Sequence, residues 1–171
     1  IISCQKQDNE STKKEEVQKM EEQFKEFSQK VSDEVAQAYN KSAITYWDAA
    51  ISGKEEDFNK AQEAEIVFNN VLADGDTFKK LKEFKESGLI QDEILSRDLE
   101  LMYLTYLSKQ VDTAKLSAMT KLQTDITKKF QTYRAKLDGK ELSDNDVEDI
   151  LKTSSDSKEL EKVWKSHKNI G

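Results

Sequence analysis

Apolar residues in this chain recur at steps of three and four. Met20, Phe24, Phe27, Val31, Val35 and Ala38 keep that spacing, and Ile44, Trp47 and Ile51 extend it. Such a period places them on one face of a helix. The stripe predicts a single long helix that starts near Ser11 or Thr12 and ends at Gly53. Thr12 and Glu15 stand three apart, as in a capping box. Between Met20 and Ala38 the stripe is narrow and flanked by dense charge. This half is therefore expected to open more readily than an all-round apolar helix.

A second helix fits residues 55–73, with Phe58, Ala61, Glu65, Phe68 and Leu72 along one side. Asp74, Gly75 and Asp76 form a turn, from which Asp76 can cap a short helix carrying Phe78, Leu81 and Phe84. Gly88 ends that helix. Residues 91–109 are apolar on several sides, through Ile94, Leu95, Leu99, Leu101, Met102, Tyr103 and Leu104, which predicts a central helix. A fifth helix fits residues 113–137, with Leu116, Met119, Leu122, Ile126, Phe130, Tyr133 and Leu137 as its stripe. Ser143 with Asp146, and Asp156 with Glu159, cap two short final helices. In the last of these, Leu160, Val163 and Trp164 are expected to be buried, with Trp164 anchored on the central helix. No alternating strand pattern, hairpin turn or internal repeat emerges. The expected fold is all-α, a long N-terminal helix followed by a bundle, with about six to seven helices in all. Residues 1–14 read as a start and tether, and residues 15–171 as the helical domain.

Composition strengthens the helical reading. The 171 residues include no proline and five glycines, and 36% are charged. Lys, Glu, Gln, Leu and Ala dominate, and these lose little rotamer freedom in a helix. The net charge is −7, with basic and acidic residues interspersed. No basic stripe exists to meet phosphates, so no nucleic-acid partner is expected. No apolar run approaches the roughly 18 residues of a membrane span.

The single cysteine, Cys4, excludes an internal disulfide. Ile1, Ile2 and Ser3 before it fit the end of a bacterial lipoprotein signal, in which a small residue precedes the cysteine that receives the lipid. A polar stretch, residues 5–14, follows as a tether. Cys4 is therefore the expected lipidation site and membrane attachment. The expected location is extracytoplasmic, as a membrane-anchored lipoprotein of a bacterial cell envelope.

Candidate chemistry is otherwise sparse. Zinc hydrolysis needs imidazole or thiolate ligands and a base for the water. His167 is the only histidine and stands beside Lys165 and Lys168 near a helix end, a position that suits the helix dipole. Cys4 lies at the opposite end of the chain, so a Cys/His nucleophile pair is unsupported. The acidic run 144–149 fails as a calcium loop. Asp149 stands where the glycine is required, and Ser155 where the closing glutamate is required. Glu63 and Glu65, or Asp144 and Asp146, are uninformative as pairs, because carboxylates are abundant. No catalytic, metal-binding or cofactor-binding residue is assigned in this chain.

The C-terminal end carries a family resemblance. Leu151, Lys152, Thr153 and Ser154, then Asp156, Glu159, Leu160, Trp164, Lys168 and Gly171, resemble a segment of the angiotensin-converting enzyme family of zinc peptidyl-dipeptidases, bacterial lipoprotein type. Upstream, Ala43, Ile44, Thr45, Tyr46 and Trp47 are similar to the aromatic-rich stretch of that family's first long helix. The resemblance spans residues 17–171. It departs from the animal relatives in lacking a cysteine pair between residues 132 and 142.

The resemblance implies that the chain is the N-terminal part of a larger peptidase. The family's His-Glu-x-x-His motif, its downstream glutamate ligand and its substrate-carboxylate-binding residues have no counterparts here. In the family they lie further toward the C-terminus. Zinc is thus implied for the full-length enzyme and not for this chain. Residues 17–73 are implied to form a lid that gates a deep channel. The implied partners are the catalytic body of the same protein and its peptide substrates, from which dipeptides would be released. A competing expectation is a stand-alone, non-catalytic helical lipoprotein that binds a partner in the envelope.

Overall fold

The computed structural model describes the backbone from Ile2 to Ile170 and the side chains from Thr12 to Ile170. Helix α1 spans Ile2–Ser52, so it begins upstream of the Thr12–Glu15 pair. Gly53, at φ 64°, closes it. An L side chain rarely adopts that left-handed conformation, which explains a glycine here. The Gly53 N–H donates to Ala49 O at 2.9 Å. Helix α2 (Glu55–Leu72) then runs back antiparallel along α1. Ala49 shares a small core with Phe58 and Ala61. Further along, Ser42 bonds Glu65, and the Tyr39 and Phe68 rings meet at 5.7 Å.

Helix α3 (Gly75–Ser87) is capped by Asp74, whose carboxylate accepts from the Thr77 N–H at 2.7 Å. The cap is thus two residues earlier than the expected Asp76, which sits inside the first turn. Helix α4 (Glu93–Leu107) is capped by Asp92, which accepts from the Ile94 and Leu95 N–H groups. Glu21 of α1 accepts from the N–H groups of Gln91 and Asp92 at 2.9 and 2.8 Å, tying α1 to the entry of α4. The main core lies between these elements. It contains Phe24 and Val31 of α1, Leu72 of α2, Leu81 and Phe84 of α3, and Leu99 and Tyr106 of α4.

One expectation about this core is corrected. Helix α4 is not central, since only Leu99 and Tyr106 are buried and Ile94 is 79% exposed. Its apolar residues point several ways, but α1 and α3 cover one side only. Conversely, the narrow stripe of α1 supplies Phe24, which is fully buried. A narrow stripe suffices because three other elements converge on it.

Helix α5 (Thr113–Thr132) rests on α2 and buries Leu116 and Thr120. It stops five residues short of its expected end. The chain instead forms an antiparallel hairpin, β1 (Ala135–Leu137) with β2 (Lys140–Leu142), in which Ala135 faces Leu142. Asp138 and Gly139, at φ 48° and 83°, make the turn. Two successive positive φ values define the type I′ hairpin turn that Asp-Gly favours. Helices α6 (Asp144–Thr153) and α7 (Ser157–Lys168) complete the fold. Ser143 and Asp146 form the expected capping box. Asp156 caps α7 through the Lys158 N–H, while Glu159 accepts from the Ser154 hydroxyl. The hairpin, α6 and α7 share a second core of Ala135, Leu142, Val147 and Val163. Val163 is the buried anchor of α7. Trp164, expected to be a buried anchor on α4, is instead 53% exposed and lines a cleft shared with residues of α5 and α6.

Candidate functional site

The largest unexplained feature is apolar surface. Ile44, Trp47 and Ile51 of α1, and Met119, Leu122, Ile126 and Phe130 of α5, are each between 62% and 71% exposed. Both sets keep helical spacing, so each forms a stripe along its helix. The two segments are joined at one end of the fold. The Gln131 side-chain amide of α5 donates to the Tyr46 hydroxyl of α1 at 2.6 Å, and Lys128 of α5 pairs with Glu55 at the start of α2 at 3.2 Å. Scattered exposed apolar residues are ordinary, whereas aligned ones mark a surface that meets something else. Periodicity places these residues on one face of each helix. It identified the shared face but not what would cover it.

A second feature is a cleft of about 590 Å³ between α5, α6 and α7, with Phe130, Leu151 and Trp164 on its walls. His167 lies there, its Nδ1 3.9 Å from Asp144 Oδ1. Tyr133 closes one side and donates its hydroxyl proton to the Ser166 carbonyl. The acidic run begun by Asp144 is the first turn of α6. Within it, the Ser143 hydroxyl and backbone N–H both bond the Asp146 carboxylate and hold its pKa below the usual carboxylate value.

A third feature joins α1, α2 and α5. The Ser42 hydroxyl donates to Glu65 Oε2 at 2.5 Å, and the Asn69 amide donates to Glu65 Oε1 at 3.3 Å and to Thr120 Oγ1 at 3.2 Å. Ser42, Asn69 and Thr120 are buried, and Glu65 is half-buried. Reading carboxylates as pairs along the chain missed this group. The available signal was a single carboxylate, Glu65, on the apolar side of its helix between Ala61 and Phe68.

Tyr106 is the one residue of the main core that titrates. Burial, then the nearby Asp74 and Glu34 carboxylates, push its phenol up to about 12.

Of the chemistry-bearing residues singled out in the sequence, Cys4 lies outside the described side chains, and His167 is placed in the α5–α7 cleft. Among the described residues, no three His, Cys, Asp or Glu side chains are grouped to hold a metal ion. No described helix is long and apolar enough to cross a membrane.

The geometry defines an all-helical segment with a minor hairpin, three separate cores and a pair of exposed apolar stripes. Comparison with protein families is specific beyond that. The family model described as angiotensin-converting enzyme matches residues 18–171, nearly the whole chain. The chain belongs to that family of peptidases. No curated protein and no solved structure matches it.

Proposed function

We propose that this chain is the N-terminal gating and structural segment of a zinc peptidyl-dipeptidase, an enzyme that removes dipeptides from peptide C-termini. Membership of the family across residues 18–171 carries this reading. The zinc ligands and the base that activates water belong to another part of the full-length enzyme, and this segment contributes no catalytic residue. Its task is to shape access. Residues 17–73, the antiparallel pair α1 and α2, form the gate. The exposed stripes on α1 and α5 dock on the catalytic body. Burying a large apolar side chain contributes about 1.5–3 kcal/mol, so a few such residues suffice to hold the segment in place. Cys4 carries the lipid that keeps the enzyme on the outer side of a bacterial membrane. Stable anchoring takes a second signal beside a single chain.

The test uses the full-length enzyme and two substrates with the same C-terminal sequence, one a free oligopeptide and the other the tail of a folded protein. Zinc-dependent dipeptide release from the free peptide is expected, with strong discrimination against the folded carrier. The variants Trp47→Ala and Phe130→Ala should narrow that discrimination by loosening the docked segment. Absence of zinc-dependent dipeptide release, or discrimination untouched by both variants, overturns the proposal. For the anchor, Cys4→Ser in the complete precursor should release the protein from the membrane fraction. Equal retention of both forms refutes it.

A further inference from the structure

We propose that the cleft between α1, α2 and α5 binds an organic cation, an ammonium or guanidinium group on a short alkyl chain. The cleft has a volume of about 320 Å³ and is lined by Tyr39, Tyr46, Phe58, Glu65, Thr120 and Thr124, among others. Its charge carries the argument. Glu65 makes no ion pair with any described Lys, Arg or His. A half-buried carboxylate is stabilised by hydrogen bonds but best satisfied by a cation. Two of its lone-pair sites are taken, by Ser42 and Asn69, and a carboxylate offers about four.

The surrounding hydroxyls tell the same story. Thr120 spends its proton on Leu116 O at 3.0 Å, and Thr124 spends its proton on Thr120 O at 3.0 Å. Ser42 spends its own on Glu65. These three oxygens therefore retain lone pairs and no free proton. Of the cleft's lining, Ser42, Thr120 and Thr124 present acceptors beside Glu65, while Tyr39, Tyr46, Gln123 and Thr127 retain protons to donate. An ammonium group supplies three donors and a guanidinium five, with no acceptor. Tyr39, Tyr46 and Phe58 also line the cleft, and an aromatic face turned toward a cation attracts it through the ring quadrupole. The volume accommodates an alkyl stem as well as the charged head, so a chain of lysine or arginine side-chain length fits better than a bare metal ion. This inference does not rest on the peptidase reading, because binding is measured on the chain itself.

The experiment is an NMR titration of ¹⁵N-labelled 171-residue chain with n-butylammonium and with ethylguanidinium chloride at constant ionic strength. Saturable shifts are expected at the amides around Ser42, Glu65, Thr120 and Thr124. Tetramethylammonium, which is charged but has no N–H donor, should bind more weakly. Glu65→Gln should weaken binding about tenfold, the scale of one charge-assisted hydrogen bond. If that variant does not fold, Thr124→Val serves instead and should weaken binding about threefold through the lost acceptor. A blocked tripeptide containing lysine separates the sources. Tighter binding than n-butylammonium assigns the cation to a polypeptide side chain, and equal binding assigns it to a free amine. Shifts that do not saturate, shifts spread evenly over surface carboxylates, or undiminished binding in the folded variant overturn the proposal.

Discussion

Replacing Phe24 with alanine asks whether the first half of α1 is part of the core or a flap laid over it. Phe24 is fully buried, and its ring meets Phe84 of α3 edge-on at 5.3 Å and 68°. A buried Phe→Ala change typically costs about 3–5 kcal/mol. The edge-to-face ring pair accounts for about 0.5–1.5 kcal/mol of that. A domain holds only about 5–15 kcal/mol in total, so a large share of the stability is at stake. With a urea slope of about 2 kcal/mol per M, the midpoint should fall by about 2 M. Trp47→Ala is the control: 66% exposed, it should shift stability by less than about 0.5 kcal/mol. Hydrogen exchange supplies the second readout. Amides of residues 20–35 should be protected at least as well as those of residues 99–107, reversing the ranking that the narrow stripe suggests. An unchanged midpoint in Phe24→Ala, or much faster exchange along residues 20–35 in the unmodified chain, would refute the reasoning and restore a detachable flap.

Three other outcomes are expected. Val163→Ala should cost about 2 kcal/mol in thermal or urea unfolding because Val163 is fully buried, whereas Trp164→Ala in the chain alone should cost less than about 1 kcal/mol. Ser143→Ala removes the capping box of α6 and should cost about 1 kcal/mol, seen as a lower melting temperature with unchanged helix content elsewhere. The folded chain holds the Tyr106 proton to about 12, above the value of 10.0 of a free phenol, so the unfolded chain binds fewer protons between the two. Stability should therefore be complete below pH 10 and fall as pH rises toward 12, by about 2–3 kcal/mol at most. Denaturant melts of the chain and of Tyr106→Phe across that range check this, since the variant should lack the extra fall.

What the sequence made legible was mostly local. The Ser143–Asp146 capping box could be read because all its partners lie within four positions. The α2 helix, too, was legible from its apolar spacing. The hairpin was not, because Tyr133 and Leu137 keep the helical step of α5 and mask the Asp138–Gly139 turn signal. Tertiary pairing of Ala135 with Leu142 over Val147 and Val163 overrides that local period. Trp164 was misplaced for a related reason. Its neighbour Val163 stands only about 100° around the helix, and the direction of the second core decides which of the two turns inward. Glu65 required three helices to be assembled before its surroundings existed. Its partner Ser42, and Thr120 reached through Asn69, lie on either side of it in the chain, far beyond one helical turn.

These placements constrain how a gate could work. If residues 17–73 moved alone, Phe24 and Val31 would leave the pocket formed with Leu81, Phe84 and Leu99, and a buried Phe alone is worth about 3–5 kcal/mol. The Glu21 bonds to the start of α4 would break as well. A motion that keeps α1 through α4 together avoids both losses. Its boundary falls where α2 meets α5, and that contact contains the Glu65, Asn69 and Thr120 network. A cation seated beside Glu65 would then join the two sides of the boundary and favour whichever arrangement keeps Thr120 and Thr124 against it, to the extent of its differential affinity for the two. If the segment gates as proposed, its moving boundary is therefore the α2–α5 contact rather than the Gly53 turn, across which α1 and α2 pack along each other.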